Sequence, residues 1–347
     1  MIVDRVQRFV ADPTSGEFEE LAREAFAFQY EQIETYRRLC QRSEIAPKTV
    51  ADWRQVPAIP ALAFKSLDLA VGDGGEVFRS SGTTTERPSV HRHVFPDLYR
   101  ATIDQTFPDA VLGDFPSIPI LSLIPDRHQA PESSLAFMVD HVLRRWGAED
   151  SLTAFGRSGV DPGRARSFLA ARQRDKRPVL ILATAFAMDQ LLDALDRLGL
   201  RFRLPVGSVV FETGGYKGRS REVSQQSLLT RLQQSLAVPA ERVVREYGMT
   251  ELTSQFYTAV RHGGDPDLFL PPEWVRVRIL DPESLAETAP GETGLIAVFD
   301  LANLSSAVHL LTEDLGRADG KGFRLIGRAA GAELRGCSLT VEELSRS

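Results

Sequence analysis

The chain has 347 residues, of which 43% are hydrophobic and 25% are charged, so it is long and apolar enough to form a sizeable globular core. Its formal net charge of −6 argues against the basic surface of a nucleic-acid-binding protein. Two cysteines are too few for a disulfide framework or a cysteine-rich zinc site, and no apolar stretch reaches the roughly 18 residues that a membrane-spanning helix needs.

The first forty residues predict a helix rather than a targeting signal. Charges are spread through residues 1–20, which lack the apolar core of a signal peptide, so we expect a cytoplasmic protein. Thr14 and Glu17 have the spacing of a capping box, in which a hydroxyl and a carboxylate bind backbone N–H groups at a helix start. Apolar residues then recur at helical spacing and predict one long amphipathic helix from Phe18 to about Cys40, with the Cys40 thiol in the core.

The middle of the chain alternates short apolar runs with helical segments. Four runs are typical of buried strands, at residues 117–125, 178–186, 204–213 and 242–248. Helical periodicity lies between them at 133–147 and 187–199. Strands alternating with helices predict an α/β fold, with a parallel or mixed sheet flanked by helices.

Beyond about residue 265 the helical periodicity stops. Four apolar runs there predict a meander or small barrel of strands, at 273–280, 294–301, 306–317 and 322–328. No internal repeat or flexible linker is present. We therefore expect an α/β core of residues 1–265, which includes the N-terminal helix, and a small β-rich subdomain of residues 266–347.

The first chemically informative stretch is a turn crowded with hydroxyl groups, S-S-G-T-T-T at residues 80–85. It follows a probable strand at residues 76–79. Its hydroxyls, together with backbone N–H groups made accessible by Gly82, suit the oxygens of a polyphosphate. The turn is not a Walker A loop, because G-x-x-x-x-G-K-[ST] occurs nowhere in the chain. Taken alone, such a turn is usually a solvated surface loop.

Three further stretches combine polar or aromatic residues with strand ends. Two glycines follow the buried strand at 204–213, where ligands of open α/β sheets bind. The stretch R-E-Y-G-M-T-E-L at 245–252 also follows a strand and offers an aromatic ring, a hydroxyl and a carboxylate. The C-terminal runs add an aspartate and an arginine. The residues concerned are Gly214, Gly215, Tyr247, Thr250, Glu251, Asp314 and Arg328.

These four stretches, in this order, resemble the motifs of the adenylate-forming superfamily, which includes acyl-CoA synthetases and nonribosomal adenylation domains. Three segments are similar to the LuxE-type acyl-protein synthetases in particular: E-T-G-G-Y-K-G-R at 212–219, E-Y-G-M-T-E-L-T-S-Q-F-Y at 246–257, and E-L-R-G-C-S-L at 333–339. Phenylacetate-CoA ligases are the next nearest branch. The resemblance extends over nearly the whole chain and implies the fold of the adenylate-forming core.

The resemblance implies that ATP and Mg²⁺ are the cofactors, and it assigns the phosphate side of the pocket. The residues expected to cradle the triphosphate are Ser80, Ser81, Gly82, Thr83 and Thr84. Thr250 is expected to contact the α-phosphate and Glu251 to hold Mg²⁺ as a hard oxygen ligand. Lys217, beside the glycine pair, is expected either to add positive charge to the site or to be a solvated surface lysine.

The resemblance also assigns the nucleoside side of the pocket. The residues expected there are Gly214, Gly215, Tyr247, Gly248, Asp314 and Arg328. The glycine pair lets adenine lie against the backbone, and the tyrosine ring stacks on the base. The aspartate accepts hydrogen bonds from both ribose hydroxyls, and the arginine donates nearby.

The reaction implied by the resemblance begins with attack of a carboxylate on the α-phosphorus of ATP, giving acyl-AMP and pyrophosphate. A carboxylate is already ionised at neutral pH, so no general base is needed. Positioned donors and cations stabilise the transition state. The acyl group, from a fatty or aryl acid, then passes to a protein thiol. The partner implied is an acyl-accepting protein, either a reductase or an acyl carrier protein.

Cys337 and His91 are two further catalytic candidates. In the LuxE type, a cysteine near the chain end carries the acyl group as a thioester, and Cys337 has that position, with Arg335 nearby to favour the thiolate. The alternative is a small buried apolar residue in a terminal strand. His91 and His93 are expected on one face of a strand, a spacing that can bind metal, although no second ligand pair is visible. His91 is also a candidate for contact with the acyl carboxylate or the phosphates.

Two other functions stay open at this point. Superfamily enzymes usually carry a C-terminal lid domain with a lysine, and no separate lid is expected after Arg328, which favours the LuxE type. An acyl-CoA ligase of the phenylacetate-CoA ligase type would need a CoA site at that lid. The absent lysine also leaves open a non-catalytic nucleotide-binding subunit of an acyl-transfer complex.

Overall fold

The computed structural model describes residues 1–80, 87–157, 159–214 and 224–329. The α-helices in these residues are α1 (Ile2–Ala11), α2 (Phe18–Gln32), α3 (Glu34–Arg42), α4 (Pro96–Phe107), α5 (Ser134–Trp146), α6 (Pro162–Asp175), α7 (Ala185–Arg197) and α8 (Gln225–Leu236). The strands in them are β1 (Ile59–Pro60), β2 (Glu76–Arg79), β3 (Val90–His93), β4 (Ile120–Ser122), β5 (Leu152–Thr153), β6 (Phe155–Gly156), β7 (Gly159–Val160), β8 (Leu180–Thr184), β9 (Val209–Thr213), β10 (Val243–Tyr247), β11 (Phe256–Thr258), β12 (Leu268–Leu270), β13 (Val275–Leu280), β14 (Thr293–Asp300), β15 (His309–Asp319) and β16 (Gly322–Arg328). None of the described helices is long and apolar enough to cross a membrane.

The chain divides into two compact units. The first unit contains residues 1–105, 249–256 and those from Asp267 onward, and the second contains residues 106–248 and 257–266. Residues 1–105 group with the C-terminal strands because β1 pairs in parallel with β15. The buried side chain of Gln29 on α2 also donates to the Asn303 carbonyl at 3.0 Å. The domain boundary expected at residue 265 stays a prediction.

The second unit is built on a parallel sheet. Its strands pair in the order β10, β9, β8, β4 and β5, and each of these pairings is parallel. Residues Leu180 to Ala183 of β8 are fully buried, as expected of a parallel strand covered by helices. Apolar side chains of α6, α7 and α8 pack with those of β8 and β9 in one core. The α/β fold predicted for the middle of the chain is confirmed.

Five strands of the first unit form an antiparallel ladder. They pair in the order β13, β14, β15, β16 and β12, and all of these pairings are antiparallel. Residues Leu295 to Asp300 of β14 are fully buried, so the middle strands contribute much of the core. The meander predicted for residues 273–328 is confirmed.

The predicted N-terminal helix is wrong in two respects. It is two helices, α2 and α3, separated at Ile33, which has an extended backbone and is buried. The break redirects the chain so that Tyr36 packs edge-on against Phe26 and its hydroxyl donates to the Pro57 carbonyl at 2.9 Å. The predicted capping box is also absent, because the Thr14 hydroxyl binds Asp12 at 2.7 Å instead of capping α2.

Candidate active site

The hydroxyl-rich turn connects the two strands of a hairpin in the first unit. β2 and β3 pair antiparallel, with Phe78 opposite His91. Beyond the last pair, the Ser80 N–H donates to the Ser89 carbonyl at 3.0 Å, and the Ser89 N–H donates to Ser80 Oγ at 2.9 Å. The hairpin therefore holds both ends of the turn together. Ser80, the first predicted phosphate-binding residue of the turn, is half-buried. The other four, Ser81, Gly82, Thr83 and Thr84, lie outside the described residues.

Thr250 and Glu251 occupy the two central positions of a tight turn in the same unit. The Leu252 N–H donates to the Met249 carbonyl at 3.2 Å and closes this turn. Thr250 is half-buried, and Glu251 is only 4% exposed. A turn fixes the directions of adjacent side chains. Here one side chain is a hydroxyl, a hydrogen-bond donor of the kind that binds phosphate. The other is a carboxylate, a hard oxygen ligand of the kind that binds the metal ion of a nucleotide.

His91 on β3 connects the hairpin to this turn. Its Nδ1 lies 2.7 Å from the Thr250 carbonyl oxygen, and its Nε2 lies 2.8 Å from Ser306 Oγ. The residue is fully buried, and burial lowers the pKa of His91 to about 4, so the ring is neutral at pH 7. The predicted sharing of one strand face is confirmed, since the ring centroids of His91 and His93 are 4.9 Å apart.

His93 binds the residue that follows the turn. His93 Nε2 lies 2.8 Å from Thr253 Oγ1, and the Thr253 hydroxyl also bonds Asn303 Oδ1 at 2.9 Å. Asn303 Nδ2 donates to the Glu251 carbonyl at 2.9 Å and to the Ala307 carbonyl at 2.7 Å. The carbonyl groups of both central turn residues, Thr250 and Glu251, are therefore bound by buried side chains of the first unit.

Asp300, at the end of β14, holds the next two residues. Its carboxylate accepts from the Thr253 N–H at 3.2 Å, the Ser254 N–H at 2.8 Å, the Ser254 hydroxyl at 2.8 Å and the Ala302 N–H at 3.0 Å. Trp274 Nε1–H donates to Ser254 Oγ at 2.8 Å. Burial raises the pKa of Asp300 to about 6, although its donors oppose this shift. The backbone of residues 250–254 is thus held by side chains at several points.

The second unit places Gly214, Tyr247 and Gly248 at the ends of two neighbouring strands. Thr213 on β9 is paired with Glu246 on β10, and the threonine hydroxyl donates to the glutamate carboxylate. Gly214 has a φ of +68°, a region that favours glycine. A Cβ added to Gly248 would clash with Glu246 Oε1, so the absent side chain makes room for that carboxylate. Tyr247 is 7% exposed, and its stacking on adenine stays a prediction.

Glu212 and Arg245 form a second pair across these strands. They are opposite each other in the parallel ladder, with Arg245 Nε 3.6 Å from Glu212 Oε2. Glu212 is 5% exposed. Burial raises the pKa of Glu212 to about 7, and the charge of Arg245 opposes the shift. Glu212 therefore changes its charge near neutral pH.

Asp314 and Arg328 lie opposite each other on β15 and β16 of the first unit. The Asp314 N–H donates to Thr312 Oγ1 at 3.1 Å, and Arg328 Nη2 donates to Glu313 Oε2 at 2.7 Å. The ladder thus brings together an acceptor and a donor that are 14 positions apart in the sequence. Their contact with a ribose stays a prediction.

Several predicted site residues cannot be placed in this geometry. Those outside the described residues, besides the four of the hydroxyl-rich turn, are Gly215, Lys217 and Cys337. Cys40 is described and lies in the core, as predicted, and burial raises the pKa of its thiol to about 12. Within the described ranges, no group of three or more His, Cys, Asp or Glu side chains is arranged to hold a metal ion.

The sequence motifs do not point to the residues that hold the turn of Thr250 and Glu251. Asp300 is the last residue of β14, and Asn303 and Ser306 lie in the connection from β14 to β15. Residues 300–308 read D-L-A-N-L-S-S-A-V and are buried throughout. One signal for them is present in the sequence. A polar residue inside an apolar connection must find a partner, because buried polar groups are nearly always hydrogen-bonded. The sequence does not show which partner each one binds.

Comparison with known proteins agrees with the motifs. A family described as acyl-protein synthetase, LuxE, matches residues 9–345. The long-chain-fatty-acid–luciferin-component ligase of Vibrio harveyi is 21% identical over 337 residues, which cover 93% of this chain and 86% of that ligase. The protein of the same name from Aliivibrio fischeri is 22% identical over 329 residues, which cover 89% of this chain and 82% of that ligase.

A solved structure of 2-hydroxyisobutyryl-CoA ligase has the same fold. It superposes with a TM-score of 0.64 at 14% identity, covering 94% of this chain and 69% of that ligase. This likeness confirms the predicted α/β fold of the adenylate-forming core. The family match includes every described part of the candidate site. The chain therefore belongs to the LuxE family of acyl-protein synthetases, as the segments at 212–219, 246–257 and 333–339 predict.

Proposed function

We propose that this chain activates a carboxylic acid with ATP as an acyl-adenylate and then transfers the acyl group to a protein thiol. Family membership supports the class of reaction. The structural observation that best supports the proposal is the bond between His91 Nδ1 and the Thr250 carbonyl, at 2.7 Å. It attaches the hairpin of the hydroxyl-rich turn to the turn of Thr250 and Glu251, and both belong to the first unit, which also contains Asp314 and Arg328.

In the first step, a carboxylate oxygen of the acid bonds to the α-phosphorus of ATP. The bond from that phosphorus to the β-phosphate oxygen breaks, and pyrophosphate leaves. Charge on the α-phosphate oxygens is stabilised best by donors that are already in place. We assign this role to the hydroxyls of Thr250 and Ser80 and to the hydroxyls and N–H groups of residues 81–84. The buried hydrogen bonds to residues 250–254 keep the Thr250 donor in position.

Glu251 is the residue that fits Mg²⁺. Mg²⁺ is usually bound by one or two carboxylates together with substrate phosphates, rather than by a complete protein cage. Glu251, a residue that is 4% exposed, supplies one carboxylate beside a hydroxyl suited to phosphate. When bound, the ion neutralises negative charge on the phosphates. Glu251 itself is held through its carbonyl, which accepts from Asn303 Nδ2 at 2.9 Å.

In the second step, a thiolate attacks the carbonyl carbon of the acyl-adenylate, the bond to the phosphate oxygen breaks, and AMP leaves. We propose Cys337 as the thiol that first takes the acyl group. The other cysteine, Cys40, is unsuited because burial suppresses its thiolate. The Vibrio harveyi and Aliivibrio fischeri relatives are named for a long-chain fatty acid and a luciferin component. We accordingly propose a long-chain fatty acid as the substrate and an acyl-accepting protein as the final acceptor.

The first step is tested by ATP–pyrophosphate exchange with purified protein, Mg²⁺ and single carboxylic acids. The panel contains saturated fatty acids of increasing length and aryl acids such as phenylacetate. We expect exchange that depends on the acid and increases with chain length. ATP binding without exchange for any acid would instead indicate a non-catalytic subunit. Rapid formation of acyl-CoA on addition of CoA would indicate a CoA ligase.

The second step is tested by intact-mass measurement after incubation with ATP, Mg²⁺ and the best acid. We expect one added acyl group that hydroxylamine removes, as it removes a thioester, and no adduct on Cys337→Ser. Exchange activity should survive in that variant, because the thiol acts only after the acyl-adenylate forms. An adduct that persists in Cys337→Ser would place the acyl group elsewhere.

A further inference from the structure

We propose that His91 and His93 are positioning residues that hold the turn of Thr250 and Glu251 through opposite ring nitrogens. His91 acts through Nδ1–H and His93 through Nε2–H. The inference rests on the proposed function, because it assumes that Thr250 and Glu251 act at the reacting phosphate. It also gives His91 a different role from the direct contact with acyl group or phosphate expected from the sequence.

The partners of His91 determine its tautomer. A backbone carbonyl can only accept, so His91 Nδ1 must carry the hydrogen that bonds the Thr250 oxygen at 2.7 Å. In the neutral ring Nε2 is then an acceptor, and it takes the Ser306 hydroxyl proton at 2.8 Å. Both ring nitrogens of this fully buried residue are therefore used within the protein. His91 acts on the turn through its partner Thr250.

The partners of His93 require the other tautomer. Asn303 Nδ2 faces the Glu251 and Ala307 carbonyls, so its Oδ1 faces Thr253. The Thr253 hydroxyl must donate to that oxygen at 2.9 Å. Thr253 Oγ1 is then the acceptor for His93, so His93 Nε2 carries the hydrogen of their 2.8 Å bond. Two rings whose centroids are 4.9 Å apart thus donate from different nitrogens.

These bonds set the peptide orientations of the turn. The Thr250 carbonyl is held by His91, and the Glu251 carbonyl is held by Asn303, which His93 supports through Thr253. Rotation of either peptide plane breaks a buried hydrogen bond and redirects the adjacent side chain. A displacement of about 1 Å at a reacting centre can lower the rate about 100-fold. We therefore expect loss of these donors to lower kcat and to leave the KM for the acid largely unchanged.

The test uses asparagine and glutamine at both positions. An asparagine amide nitrogen can take the place of a histidine Nδ1, whereas a glutamine amide nitrogen reaches the place of Nε2. We expect His91→Asn to keep kcat for pyrophosphate exchange within about 10-fold of the unmodified protein and His91→Gln to lose about 100-fold. At position 93 the order reverses, so that His93→Gln retains more activity than His93→Asn.

The reversal separates positioning from other roles. If the two rings only filled space, the larger glutamine would be the better substitute at both positions. The same order at both positions would overturn the inference, as would equal kcat values for His91→Asn and His91→Gln. Hydrogen exchange of residues 249–256 gives a readout without catalysis. It should be faster in His91→Gln than in His91→Asn and faster in His93→Asn than in His93→Gln.

Two outcomes need separate controls. If the unmodified protein shows no exchange activity with any acid, the proposed function fails, and the hydrogen-exchange order alone decides the positioning roles. If a histidine variant does not fold, Ser306→Ala keeps both histidines but removes the bond to His91 Nε2 that helps to orient the ring toward the Thr250 carbonyl. We expect that variant to lose about 3- to 10-fold in kcat. Unchanged kcat and unchanged hydrogen exchange in Ser306→Ala would contradict the role of His91.

Discussion

At the scale of single residues, Glu251 carries the proposed metal chemistry. The residue is 4% exposed and follows Thr250 in one turn. Glu251→Gln keeps the shape of the side chain but removes its charge. We expect kcat for pyrophosphate exchange to fall at least about 100-fold, with more Mg²⁺ needed for half-maximal activity. Exchange kinetics measured across a Mg²⁺ titration test this.

The matched control for this prediction is Glu241→Gln. Glu241 is an exposed residue of the short helical turn Ala240–Arg242, so removal of its charge should leave exchange and its Mg²⁺ dependence unchanged. Equal activity of Glu251→Gln and Glu241→Gln would exclude Glu251 as the metal ligand.

Gly248 illustrates a glycine that is needed for space. An added Cβ would clash with the carboxylate of Glu246, which is buried and already bonded to the Thr213 hydroxyl. Gly248→Ala must therefore displace a held carboxylate. We expect the free energy of unfolding to fall by about 1–3 kcal/mol and the KM for ATP to rise. Urea unfolding and exchange kinetics at varied ATP measure the two effects.

Gly214 provides the contrast, because an added Cβ there meets no atom of the described residues within 4 Å. Its φ of +68° is the constraint, so Gly214→Ala should lose about 1–2 kcal/mol and Gly214→Asn less, since asparagine tolerates this backbone region. Asparagine should give no such relief at Gly248. Unfolding free energy and KM unchanged in Gly248→Ala would contradict the account of that site.

At the scale of elements, the end of β14 and the connection that follows it hold residues 250–254 in place. Asp300 accepts four hydrogen bonds there, two of them from the backbone N–H groups of Thr253 and Ser254. Asp300→Asn exchanges one acceptor oxygen for an NH₂ group that faces donors. We expect the free energy of unfolding to fall by about 2–4 kcal/mol, because buried donors lose their partner. Urea unfolding measures the loss.

Asp281 is a matched control on the surface. Its carboxylate also accepts from two backbone N–H groups and a serine hydroxyl, those of Glu283 and Ser284. Water can replace the lost acceptor there, so Asp281→Asn should cost much less than Asp300→Asn. Similar losses of unfolding free energy at both positions would mean that burial of the hydrogen bonds around Asp300 contributes little to stability.

Elements with strong periodicity were predictable, and those defined by tertiary contacts were not. The runs that became β8 and β14 are continuous and apolar, so their burial could be inferred from composition alone. The break between α2 and α3 at Ile33 carries no proline or glycine. Packing of Tyr36 against Phe26 accompanies that break, and such a contact leaves no local mark in the sequence.

At the scale of the whole molecule, buried titratable groups make stability depend on pH in two opposite ways. Burial lowers the pKa of His91 and His309 to about 4, and that of His93 well below its usual range. The unfolded chain therefore binds protons on these rings from about pH 6.5 downward that the native state does not, which destabilises the fold in acid. Burial raises the pKa of Asp300 to about 6 and of Glu212 to about 7. Below those pH values the native state binds protons on these two carboxylates that the unfolded chain does not bind. This stabilises the fold and opposes the destabilising effect of the histidines.

The variant Glu212→Gln isolates the contribution of one carboxylate to the pH dependence of stability. The raised pKa of Glu212 makes a stabilising contribution that is complete below about pH 4.5 and is lost as pH rises through about 7. In Glu212→Gln this contribution is missing, so the free energy of unfolding should fall more steeply than in the unmodified protein as pH is lowered from 7 to 5. The extra slope is at most about 1.4 kcal/mol per pH unit. Urea unfolding at several pH values tests this, with Glu241→Gln as the control, and parallel curves for Glu212→Gln and the unmodified protein would contradict it.

The family and the order of the site motifs could be predicted from the sequence, but the network that holds them could not. The motif at 245–252 identifies Thr250 and Glu251 without any structure. The bond from His91 to Thr250 joins residues 159 positions apart, and that from Thr253 to Asp300 spans 47. Such pairings depend on the tertiary fold, so the sequence indicates only that buried polar residues need partners. The family match confirms the predicted ligase class.

The most direct test of acyl-adenylate formation is the identity of the nucleotide product. Purified protein is incubated with ATP, Mg²⁺, a long-chain fatty acid and hydroxylamine, which traps activated acyl groups, and phosphorus NMR follows the nucleotides. Attack at the α-phosphorus predicts AMP and pyrophosphate in amounts equal to the acyl hydroxamate, and little of either without the acid. Formation of ADP and phosphate together with hydroxamate would show attack at the γ-phosphorus and contradict the account.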